Sequence, residues 1–71
     1  MTKVRLGNHL KVLRTRAGLT QAELAERVGV SRKTINTVEN GVFTPSATLA
    51  LLLARALGAS VEQAFYLEED G

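Results

Sequence analysis

The segment Thr20–Gly41, TQAELAERVGVSRKTINTVENG, decides how the rest of this chain folds. Thr20 with Glu23 three positions on is a T-x-x-E capping box, in which side chain and backbone at a helix start satisfy each other's hydrogen bonds. Ala22, Ala25 and Val28, with Leu24 beside them, give the helix that follows one apolar stripe. Ala25 is small where a second helix has to cross closely. Gly29 ends the first helix, because a glycine adopts the left-handed backbone without a Cβ penalty. Ser31 is then placed to cap a second helix running to Asn40.

The second helix divides by face. Ile35 and Val38 lie three apart and point inward, while Arg32, Lys33, Asn36, Thr37 and Asn40 share the opposite side. A polar outer face is ordinary for any exposed helix. A face made only of side chains able to bond base edges or phosphates, on the second of two helices joined by a glycine turn, is more specific.

The residues L-R-T-R-A-G-L-T-Q-A-E-L-A from Leu13, then V-G-V-S-R-K-T-I, V-E-N-G and Pro45-Ser46, resemble the helix-turn-helix of Cro/cI and Xre-class transcriptional regulators. With the following helix the resemblance covers nearly the whole chain, and it is strongest to the small single-domain Xre-type repressors. It implies an all-α fold: a compact, lambda-repressor-like bundle of about five helices, on one domain over residues 1–71. The helix-turn-helix core is residues 20–40, and residues 46–67 hold a dimerisation helix and a C-terminal segment.

The resemblance also implies roles for single residues. Arg14 is expected to pair inward with Glu39 near the end of the second helix, the alternative being one more exposed phosphate contact. Gln21, with the amides beside it, holds a DNA phosphate, and Ser31 and Asn40 add backbone contacts. From their own position at the N-terminal end of the second helix, Arg32 and Lys33 are expected to read bases, most naturally guanine O6 and N7, and Asn36 and Thr37 one turn on to read adenine or a thymine methyl. Relatives often carry a basic residue in the loop after the second helix. Here Val42 and Phe43 are apolar, which removes one expected phosphate contact.

Composition agrees with a nucleic-acid partner. The net charge of +2 hides an asymmetry: residues 1–33 carry eight Lys and Arg against two Glu, and residues 34–71 one Arg against five acids. A basic half holding the start of the second helix suits a polyanion. With 71 residues, 45% of them hydrophobic, two Phe, one Tyr and no Trp, the core is built from Leu, Val, Ile and Ala. The absence of Cys removes disulfides and thiolate metal sites. No cofactor or metal is expected. The longest apolar run, Leu49–Ala54, is far short of the roughly 20 residues that span a membrane, and residues 1–7 lack an apolar signal region. A cytoplasmic location is expected.

Outside the central segment the pattern is simpler. Thr2–Leu6 alternates as a short strand ended by Gly7. Asn8 caps a helix to about Ala17 with Leu10, Leu13 and Ala17 inward, and Leu19 plugs the corner. His9, the only histidine, reads as a surface residue. Ala47–Leu57 is apolar nearly all round. Ala50, Leu53, Ala54 and Leu57 serve the domain's own core, which leaves Leu49, Leu52 and Ala56 as a second stripe for a homodimer seam. Ser60 and Gln63 form a second capping box for a short helix over Val61–Ala64. Phe65–Leu67 is extended, pairs with Thr2–Leu6 as an antiparallel ribbon, and runs into a frayed acidic tail, Glu68–Gly71.

Three functions fit this expectation. The first is a homodimeric repressor on a palindromic operator, with half-sites roughly 34 Å apart. The second is an antitoxin of a toxin–antitoxin pair, using the Leu49/Leu52/Ala56 stripe to hold its toxin. The third is a protein-interaction module without DNA binding, against which Arg32 and Lys33 stand. With one His, no Cys, no phosphate-binding glycine loop and no converging carboxylates, an enzyme is not expected.

Overall fold

The structure, a computed structural model, describes residues 3–70. The chain runs β1 (Lys3–Asn8), α1 (Leu10–Arg16), α2 (Gln21–Val28), α3 (Arg32–Glu39), α4 (Ala47–Ala56), α5 (Val61–Ala64) and β2 (Phe65–Asp70). Among the described residues, five helices surround one core, and the two strands form an antiparallel pair that sets Lys3 opposite Asp70. The fold is thus helical with a β-ribbon added, rather than purely all-α.

Each helix begins where a short polar side chain accepts one of the amides a helix start leaves unpaired. Thr20 Oγ1 accepts from the Glu23 amide at 3.1 Å, and Glu23 returns the bond to the Thr20 amide at 2.9 Å. Ser31, Ser46 and Ser60 do the same for α3, α4 and α5, with a full capping box at Ser60 and Gln63. α1 differs: its first flanking residue is His9, without a side-chain cap, and Asn8 one position earlier accepts the Leu10 amide through Oδ1 at 3.1 Å. Gly29 closes α2 at φ +75°, where any other residue would be strained.

The core centres on Leu10, Leu24, Ile35, Val38 and Leu53, all essentially inaccessible. Leu19 fills the corner between α1 and α2. Two alanines expected inside are exposed. Ala17 is already the residue that ends α1, and Leu19 occupies the interior it was expected to reach. Ala22 lies on the far side of α2 from Leu24, so the buried stripe is Leu24, Ala25 and Val28.

α4 is rotated relative to the expectation. Leu49 is 8% exposed and joins Leu53 and Ala54 in the chain's own core, whereas Ala50 and Leu57 are only half-buried. Leu49 and Leu53 are four apart and share one side of the helix, so the α2–α3 core claims both. Leu49 therefore leaves the expected seam. Leu52 and Ala56 remain half-buried at its margin, and Leu51, which was not singled out, is 60% exposed.

The ribbon is longer than its sequence suggested. β1 continues through Gly7 to Asn8, and β2 runs to Asp70, in the register Lys3↔Asp70, Arg5↔Glu68, Gly7↔Tyr66 and Asn8↔Phe65. Glu68–Asp70 is consequently paired strand, not a frayed tail; Thr2 and Gly71 lie outside the described residues. Backbone pairing continues through these residues, and Arg5 and Glu68, opposite one another, add an exposed ion pair at 3.8 Å. The Tyr66 ring lies over Gly7, where a Cβ would run into the ring carbons. Tyr66 also rests on the His9 ring, centroids 4.7 Å apart.

Candidate nucleic-acid interface

α3 is fixed from behind and open in front. Ile35 and Val38 sink into the core, while Arg32, Lys33, Asn36 and Asn40 are exposed and Thr37 is half-buried. Arg32, Lys33 and Asn36 together line an open depression at the N-terminal end of the helix. Two cations beside a helix N-terminus, whose own dipole is positive there, make this the most favourable end for an anionic partner. Towards the C-terminal end the side chains bond to one another. Asn40 Nδ2 donates to Asn36 Oδ1 at 3.2 Å, and Thr37 donates back to the Thr34 carbonyl at 2.9 Å. Ser31 spends its hydroxyl on the Thr34 amide and contacts the Thr34 hydroxyl at 2.9 Å.

The support behind α3 is a polar cluster around Glu39, whose side chain is only 4% exposed. Arg14 Nε donates to Glu39 Oε2 at 2.7 Å and Nη2 to Oε1 at 3.2 Å, while Nη1 reaches the Leu19 carbonyl at 3.0 Å. One guanidinium thereby ties α1, the corner before α2 and the end of α3 together. The fork-to-carboxylate geometry is the strong, oriented form of an ion pair. The hydrogen bond to Glu39 holds Arg14 protonated above its ordinary range, against the opposing effect of burial.

Gln21 adds a bond that residue types alone did not suggest. Its Nε2 donates to Glu39 Oε1 at 3.1 Å, linking the start of α2 to the end of α3. An amide nitrogen carries two N–H groups, so the second is left for another acceptor. A second missed residue is Asn8, whose Nδ2 donates to the Val38 carbonyl at 3.0 Å and satisfies an acceptor at the C-terminal end of α3. The only signal for it was an Asn at a strand end, which equally suggests a cap. Among the described residues no group of His, Asp or Glu is arranged to hold a metal ion.

A capped helix with a basic N-terminal end, braced from behind by an ion pair from α1 and crossed by α2, defines a helix-turn-helix domain. The chain belongs to the helix-turn-helix domain family, whose pattern matches residues 5–65. It is 56% identical over 59 residues to an HTH-type transcriptional regulator of Methanothermobacter thermautotrophicus, covering 82% of this chain and 86% of that one. It is 43% identical over 63 residues to the HTH-type transcriptional regulator YgzD of Bacillus subtilis, covering 89% and 96%. Among solved structures, the restriction-modification controller protein C.AhdI of Aeromonas hydrophila superposes with a TM-score of 0.72 at 37% identity, over 76% of this chain and 82% of that one. The protein is accordingly a DNA-binding transcriptional regulator, with double-stranded DNA as its partner and no place among enzymes.

Proposed function

We propose that this regulator is a homodimeric, cytoplasmic repressor that places two copies of α3 in successive major grooves of an approximately palindromic operator. The observation that carries this is the open depression lined by Arg32, Lys33 and Asn36 on a helix whose other side is locked into the core. Arg32 and Lys33 take base edges, guanine O6 and N7 foremost, and Asn36 and Thr37 take the adjacent adenine or thymine. Gln21 keeps one N–H for a phosphate oxygen while the other holds Glu39, and Ser31 and Asn40 flank the same strand.

An apolar furrow supports a second copy as partner. Leu51, Leu52, Ala59 and Val61 line it along α4 and the start of α5, with Thr48 and Arg55 at its polar edge. This corrected surface replaces the Leu49/Leu52/Ala56 stripe, because Leu49 belongs to the chain's own core. Occupancy of a promoter is sufficient for repression, and the domain needs no further part to achieve it.

The test is selection of random duplex DNA by the purified protein and by the Arg32→Ala/Lys33→Ala variant. The wild type should enrich a palindromic site. The variant should lose preference at the guanine positions, at a cost of about 1–3 kcal/mol for each base contact removed. Equal, weak and salt-sensitive binding by both proteins would refute readout by α3 and assign the furrow to a protein partner, as in an antitoxin.

A further inference from the structure

Asn8 stands where three elements meet. Its backbone closes the ribbon opposite Phe65, and the His9 amide beside it donates to the Ala64 carbonyl at 2.9 Å. Its half-buried side chain faces two ways. Oδ1 accepts the Leu10 amide at 3.1 Å and so starts α1, while Nδ2 donates to the Val38 carbonyl at 3.0 Å and lies 3.5 Å from the Glu39 carbonyl. The bond to Leu10 fixes the plane of the amide, so Nδ2 is aimed at the last turn of α3. Away from this point the ribbon and α3 part, and an open cleft separates Val4, Arg5 and Leu6 from Asn40, Gly41 and Thr44. The Asn8 amide bridges the two walls at its near end.

Arg14 and Gln21 hold the Glu39 side chain, whereas Asn8 holds the backbone of the same turn and brings the ribbon to it. α3 has eight residues and is about 12 Å long. A short stiff helix tilted at Val38 also swings its N-terminal turn, where Arg32, Lys33 and Asn36 meet. Hydrogen bonds to base edges weaken steeply with angle, so that swing falls on base readout. We infer, on the proposed entry of α3 into DNA, that Asn8 is a positioning residue for operator recognition, coupling the pairing of β1 with β2 to the direction of α3. Such coupling is reciprocal: DNA that holds α3 also holds the ribbon.

The experiment compares the wild type with Asn8→Ser and Asn8→Asp. Serine keeps a short acceptor for the Leu10 amide and cannot reach α3. Aspartate keeps the shape and the acceptor, and sets an oxygen against the Val38 carbonyl in place of the donor. Fluorescence anisotropy should show operator affinity falling about fivefold in each, the net value of one hydrogen bond. Affinity for random duplex should be unchanged, because it depends on charge rather than on the direction of α3. In hydrogen exchange, operator should slow the amides of β1 and β2 in the wild type but not in Asn8→Ser, while slowing those of α2 in both. Circular dichroism establishes that the variants are folded at the assay temperature; if they are not, exchange in the wild type decides alone. Unchanged operator affinity in folded variants would overturn the inference. So would an equal loss on operator and random duplex, or ribbon amides that operator leaves unchanged in the wild type. A wild type that enriches no duplex would refute the parent proposal and the coupling together.

Discussion

Glu39 is a carboxylate almost removed from water that accepts three hydrogen bonds, two from Arg14 and one from Gln21. An ion pair so placed contributes little net stability, since desolvation offsets the attraction, but losing one partner leaves a stranded charge. Arg14→Leu and Glu39→Leu should therefore each destabilise the protein by about 3 kcal/mol. The double substitution should be less damaging than the sum of the two. Urea unfolding of the four proteins checks this, and strict additivity would show that the pair is not coupled. The same residues set the direction of α3, so a folded Arg14 variant is also expected to bind its operator less tightly.

The helices are short, from four to ten residues, and such lengths are marginal without good ends. The box at Thr20 and Glu23 has a measurable signature. The Thr20 amide, donating to the Glu23 carboxylate, holds that carboxyl below its usual range. A depressed folded value means that the charged form adds stability above the ordinary carboxylate pKa, and that this is lost as pH falls through the folded value. Glu23→Gln keeps an acceptor for the Thr20 amide and removes only the charge. The wild type should exceed Glu23→Gln in melting temperature at neutral pH, and the difference should close as the pH falls below the ordinary carboxylate range. A gap that persists at lower pH would assign it to packing instead.

At the scale of the whole molecule, the described residues leave an apolar furrow open along α4 and the start of α5. Leu51, at 60% exposure, contributes little to the monomer's core, so Leu51→Glu should leave folding intact while opposing association. Sedimentation should show a dimeric wild type and a monomeric variant. The variant should keep affinity for a single half-site and lose the additional affinity of the full palindrome. A wild type that sediments as a monomer at operator-binding concentrations would exclude the second copy from the furrow.

The sequence by itself determined the local architecture. Caps at Thr20, Ser31 and Ser60, the left-handed Gly29, and the apolar spacing of Ile35 and Val38 are short-range signals, each decided within about one turn of chain. They were sufficient to find the helix-turn-helix and to mark Arg32, Lys33 and Asn36 as its outer face. The resemblance to Xre-class regulators supplied the Arg14–Glu39 pairing, which lies 25 positions apart and has no local signature. Only the tertiary structure decided the rotation of α4, because a helix apolar all round has no preferred inner side until its neighbours choose one; they took Leu49 and left Leu51 outside. It likewise decided that Glu68–Asp70 is strand. An acidic run looks solvated in isolation, and its strand partner, Lys3–Arg5, lies more than sixty positions away in sequence. The same holds for Gln21 and Asn8, whose amides found partners on α3 that spacing could not reveal.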